Sequence, residues 1–79
     1  MQYICVRVVD GSGTPCADEK VTIHGNALFT GGSFPAQWTS REGVAEFAID
    51  ISPTDSITVS AKGQPRYVGP PKAKITVVI

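Results

Sequence analysis

The chain has 79 residues, enough for one domain with a thin core, since a chain this short buries only roughly 60% of the surface it exposes when unfolded. Seven lysines and arginines balance seven aspartates and glutamates, so no net field draws the chain to nucleic acid or to an anionic membrane. The 42% of apolar residues come in short runs broken by glycine and proline, which argues against disorder and against membrane insertion, because a spanning helix needs roughly 18 to 20 apolar residues.

Tyr3 to Val9 is rich in β-formers, and Ile4, Val6 and Val8 make one apolar face, which predicts the first strand. No basic region followed by a long apolar run precedes it, so an exported protein would carry these residues as a mature part. Asp10-Gly11-Ser12-Gly13-Thr14-Pro15 is dense in turn formers, and Pro15 cannot donate to a ladder. Lys20 to His24 then alternates, with Val21 and Ile23 expected inward and Lys20, Thr22 and His24 outward.

Gly25 to Ala36 fits no ladder and reads as a long loop that carries apolar surface at Leu28, Phe29 and Phe34. Gln37 to Ser40 is expected to be a short strand with Trp38 turned into the core. Ser40-Arg41-Glu42-Gly43 has turn chemistry, its glycine able to take the positive φ that closes a reversal. Val44 to Ile49 alternates, with Ala45, Phe47 and Ile49 on one side.

Asp50 to Asp55 is another connection, built around Pro53. Ser56 to Ala61 predicts a strand with Ile57, Val59 and Ala61 inward, broken by Lys62-Gly63-Gln64-Pro65. Arg66 to Val68 is a short strand before Gly69-Pro70-Pro71, and Ala73 to Ile79 is the last. That final strand is apolar enough to invite edge pairing, with Lys72 and Lys74 as the guard.

No window keeps a 3.6-residue apolar period, so no substantial helix is expected. Short strands at regular spacing predict an all-β chain, a single domain over residues 1–79 folded as an antiparallel Greek-key β-sandwich of about seven strands. An odd number of alternating strands leaves the two ends of the chain at opposite poles, as in modules strung in series.

Little in the chain reads as reaction chemistry. His24 is the lone histidine, with no nucleophile motif beside it, and reads as a solvated surface residue rather than a general base. Cys5 and Cys16 leave two options, a disulfide or two free thiols, and with His24 they lack the paired spacings of a zinc site. Asp10, Asp18, Asp50 and Asp55 lie in connections without the acidic spacing of a calcium loop. Gly11-Ser12-Gly13 and Gly31-Gly32-Ser33 open no helix and are not phosphate loops. No metal, cofactor or catalytic set is expected. The candidate binding residues are aromatic: Phe29, Phe34, Trp38 and Tyr67, either a stacking platform for a glycan or partner protein, or rings that plug one end of the core.

Four stretches together resemble a family. Val8-Val9-Asp10-Gly11-Ser12-Gly13-Thr14-Pro15, Val21-Thr22-Ile23, Thr39 through Phe47 and Ile57-Thr58-Val59-Ser60-Ala61 resemble the bacterial immunoglobulin-like domains of the intimin and invasin type. The carboxypeptidase regulatory-like and transthyretin-like (prealbumin-like) sandwiches share much of this punctuation. The first resemblance implies a non-catalytic spacer or adhesion module in a larger exported or cell-surface protein, with neighbouring domains of the same chain as its partners. The second implies an accessory domain that binds a protein or carbohydrate. A hydrolase branch of the transthyretin-like group ends in tyrosine-arginine-glycine-serine and needs a histidine in the first strand. This chain ends Thr76-Val77-Val78-Ile79 and has none there, so that activity is not implied.

Overall fold

A computed structural model describes residues 2–25, 32–49 and 55–79. In chain order the strands are β1 (Gln2–Val9), β2 (Lys20–Gly25), β3 (Gly32–Ser33), β4 (Gln37–Trp38), β5 (Val44–Ile49), β6 (Ile57–Ala61), β7 (Gln64–Gly69) and β8 (Lys74–Val78). No helix occurs among the described residues. Leu28, Phe29 and the connection at Asp50 to Thr54 lie outside them.

Alternation decides which side chains are inside. Ile4, Val6 and Val8 of β1, Val21 and Ile23 of β2, Ala45, Phe47 and Ile49 of β5, Ile57, Val59 and Ala61 of β6, and Ile75 and Val77 of β8 form one buried cluster. The sheets that contribute them have the orders β5-β1-β8 and β3-β2-β6-β7, with β4 also paired to β2. The chain is thus a β-sandwich, its two inner faces supplying a single core. Four connections change sheet: β1 to β2, β4 to β5, β5 to β6 and β7 to β8. Neighbours such as β1 with β5 and β2 with β6 are therefore not consecutive in the chain.

One pairing departs from the antiparallel expectation. β8 runs parallel to β1, from Cys5 opposite Lys74 to Val9 opposite Val78. Parallel neighbours need a long crossover, and the whole second sheet supplies it here. In consequence the start of β1 and the end of β8 lie at opposite ends of that ladder; the molecule's extents are 37 × 20 × 18 Å.

Two stretches read as breaks from the sequence take part in ladders. Gly32 and Ser33 pair with Gly25 and His24, and Phe34 N–H donates to Ile23 O at 3.0 Å. β4 pairs with the other end of β2, at Lys20 and Val21, so residues 32–38 form one edge strand interrupted at Pro35, which has no N–H to donate. Gln64 and Pro65 belong to β7, because the reversal needs only Lys62 and Gly63, with φ of 56° and 75°, the two positive angles of a type I′ turn. Pro65 is tolerated since β7 is an edge strand and the register shifts beside it, leaving Arg66 unpaired in the ladder. The Arg66 side chain turns back, its Nε donating to Ala61 O at 3.2 Å.

Candidate functional site

The passage from β4 to β5 carries the chain from one sheet to the other and sets the direction of Trp38. Gly43 N–H donates to Ser40 O and Ser40 N–H to Val44 O, each at 2.9 Å, a reversal closed by Gly43 at φ 76°. A Cβ on Gly43 would stand 2.7 Å from Val8 O and 3.0 Å from Cys16 N, so the turn is pressed against the end of β1 as well as bent. Gly43 O in turn accepts from Val8 N–H at 2.7 Å.

Thr39 fastens this corner to the segment that precedes β2. It is the one buried polar residue of the described chain, 3% exposed. Its Oγ1 donates to Cys16 O at 2.6 Å and accepts from Glu19 N–H at 2.8 Å, while its own N–H donates to Glu19 O and its carbonyl accepts from Asp18 N–H. Four hydrogen bonds through one residue leave no freedom to rotate β4.

Thr39 therefore takes the inward position, and its neighbour Trp38 faces the other way. This corrects the expectation that Trp38 fills the core: the indole is 60% exposed. It lies opposite Lys20 at the start of β2, on the outward face of the second sheet. Farther along that face come Thr22 opposite Ser60, then His24 opposite Thr58, with the exposed Val68 next to Thr58. The face thus holds one large ring at one end and a row of hydroxyl-bearing residues beyond it.

The other candidate aromatics do not join Trp38. Phe34 and Tyr67 are partly buried and pack against the core from opposite edges of that sheet. Tyr67 is held further by donating its hydroxyl to Pro70 O at 2.5 Å, and Lys72 Nζ sits 5.8 Å from the ring centroid. Lys72 is thereby tied to β7, and Lys74 is exposed on β8, the edge strand it was expected to guard. Gly69 makes room for the phenol, since a Cβ there would meet the Tyr67 hydroxyl at 3.0 Å. Phe29 lies outside the described residues.

Cys5 and Cys16 are free thiols on different sides of the β5-β1-β8 sheet. Cys5 points outward between Glu46 and Lys74, whereas Cys16 packs against the core with its Sγ 3.7 Å from Thr14 O. His24 is exposed on the opposite sheet, and among the described residues no three His, Cys, Asp or Glu side chains gather as metal ligands.

Asp10 serves its own loop. Its Oδ1 accepts from Ser12 Oγ at 2.7 Å, Ser12 N–H at 2.9 Å and Thr14 N–H at 3.0 Å. These bonds, the Ser12 hydroxyl first, hold its carboxyl below the usual carboxylate value. One feature has no signal in the sequence: a depression on the outward side of the first sheet, lined by Cys5, Arg7, Val44, Lys74, Ile75 and Thr76. Its walls come from three strands far apart in the chain, so only the register assembles them.

No protein-family profile matches the chain, and no curated protein matches it.

Proposed function

We propose that the chain is a non-catalytic, immunoglobulin-like β-sandwich module that serves as a spacer or adhesion domain within a larger exported or cell-surface protein. One observation carries this reading: the parallel pairing of β1 with β8 makes the chain enter at one end of the β5-β1-β8 sheet and leave at the other. A domain entered at one pole and left at the other adds its length to a chain of modules, whereas one with adjacent ends hangs off it. Two copies joined by a short linker are expected to scatter X-rays as a rod roughly twice as long as one copy. A compact side-by-side particle would overturn the spacer reading.

A second reading is favoured by the position of Trp38. An indole 60% exposed beside Lys20, at the head of a face bearing Thr22, Ser60 and Thr58, suits an accessory domain that stacks a sugar ring and hydrogen-bonds its hydroxyls. Trp38 is the chain's single tryptophan, so its emission reports the surface directly. A glycan panel titrated against Trp38 fluorescence should give at least one saturable shift that Trp38→Ala abolishes without loss of folding. No saturable shift across the panel would remove this reading.

A further inference from the structure

We infer that the β1–β8 ladder is a shear clamp that lets the domain carry tension between its ends, a property that rests on the spacer reading above. The direction of each strand determines this. β1 enters at one pole and runs from Gln2 to Val9, and β8 runs the same way and leaves at the other pole. A pull on both ends drags β1 back toward its own start and β8 forward past it. The two strands are forced to slide along each other in opposite senses.

The hydrogen bonds of that ladder lie across the line of force. At one end Cys5 N–H donates to Ala73 O at 2.9 Å, and at the other Ile79 N–H donates to Val9 O at 2.9 Å, with five residue pairs in unbroken register between. Sliding loads all of these bonds together, whereas peeling a hairpin would break them one at a time. β1 itself is anchored, because it is the middle strand and is held along Gln2 to Arg7 by β5 on its other side, so the strain falls on the β1–β8 ladder. Sliding β8 past it must further drag Ile75 and Val77 through a packed interior.

The second sheet takes no direct part in this load path. Neither β1 nor β8 pairs with β2, β6 or β7, and the register shift between Val59 and Ser60 lies there, off the loaded ladder.

The test is single-molecule force spectroscopy on the whole chain, with handles attached before Gln2 and after Ile79. The first rupture is expected to release the entire fold in one step. Release of residues 73–79 alone, before the remainder, would overturn the clamp and needs no variant to detect. Ile79→Pro, which removes the N–H that bonds Val9 O, is expected to shorten the lifetime at constant force about tenfold, the effect of one hydrogen bond. Val59→Ala, a core truncation in the second sheet, is expected to lower thermal stability more than Ile79→Pro while shortening that lifetime less. Lifetimes that instead follow thermal stability across the two variants would overturn the clamp. The tandem scattering experiment separates the two proposals: an extended rod that ruptures in pieces sinks only the clamp, and a compact tandem of mechanically strong copies sinks only the spacer.

Discussion

Thr39→Val tests whether one buried hydroxyl holds the corner between the sheets. Valine keeps the shape and volume of threonine but cannot replace Oγ1, so Cys16 O loses a 2.6 Å donor and Glu19 N–H loses a 2.8 Å acceptor. Each lost bond costs about 1 to 1.5 kcal/mol, and a partner left partly buried adds its own desolvation, which gives roughly 2 to 4 kcal/mol in all. A domain of this size has roughly 4 to 12 kcal/mol of stability, so the change is a large share of the total. At about 4 to 8 °C per kcal/mol, the thermal midpoint falls by roughly 8 to 32 °C. Circular dichroism on heating and in urea reads both quantities, with the urea slope unchanged if the folded state keeps its extent. Thr39→Ser is the control, because it retains both hydrogen bonds and loses one methyl, worth about 1 kcal/mol. If Thr39→Val matches the wild type, or if serine and valine cost the same, the hydroxyl does not hold the corner and packing alone explains its burial.

Three further outcomes are expected. Gly43→Ala should destabilise by at least about 3 kcal/mol, since its Cβ would meet Val8 O at 2.7 Å at φ 76°, whereas Gly13→Ala, at φ 86° with open space around it, should cost only the roughly 1 to 2 kcal/mol of a left-handed alanine; paired urea titrations decide. Lys62→Asn should stabilise by roughly 0.5 to 1 kcal/mol, because Lys62 at φ 56° occupies a type I′ position that asparagine tolerates better, and a higher midpoint in urea would show it. The carboxyl of Asp10 is held below its ordinary value of 3.8, so the ionised form stabilises the fold above that pH and the contribution is lost as pH falls through the folded-state value; the difference in thermal midpoint between wild type and Asp10→Asn should be flat near neutrality and close in acid.

The five core strands β1, β2, β5, β6 and β8 were legible because the inner face of each is continuous. Ile4, Val6 and Val8, or Ile57, Val59 and Ala61, alternate without interruption, and period alone assigns them. Legibility failed where pairing overrode local chemistry. Pro65 looks like a terminator, yet an edge position beside a register shift accommodates it, and neither condition can be read from residues 62–66. Trp38 and Thr39 show the same limit more sharply. Size and polarity put the indole inside and the hydroxyl outside, but Cys16 and Glu19 offer Thr39 two backbone partners that lie 23 and 20 residues away in sequence, and the hydroxyl goes in. Of the aromatic site, the sequence supplied the rings but not their directions, since Phe34, Trp38 and Tyr67 face the core or solvent according to which strand each is registered against.

The same alternation that builds the core also constrains what the surface can do. In a sandwich this thin every second residue of a strand is spent inward, and what remains is dealt to two faces that look in opposite directions. Cys5, Arg7, Glu46 and Lys74 fall on one, Lys20, His24 and Trp38 on the other. Reaction chemistry needs groups that converge on one atom to within hydrogen-bond reach. Recognition of an extended partner asks for the reverse, several weak contacts spread over an area. The outward face headed by Trp38 has that character, and the β1–β8 ladder belongs to the other sheet and contributes nothing to that face. On the two proposals taken together, binding and tension act on different sheets, so Trp38→Ala should leave the lifetime under force unchanged and Ile79→Pro should leave any glycan shift intact, and a cross-effect in either direction would show that the two sheets are not independent.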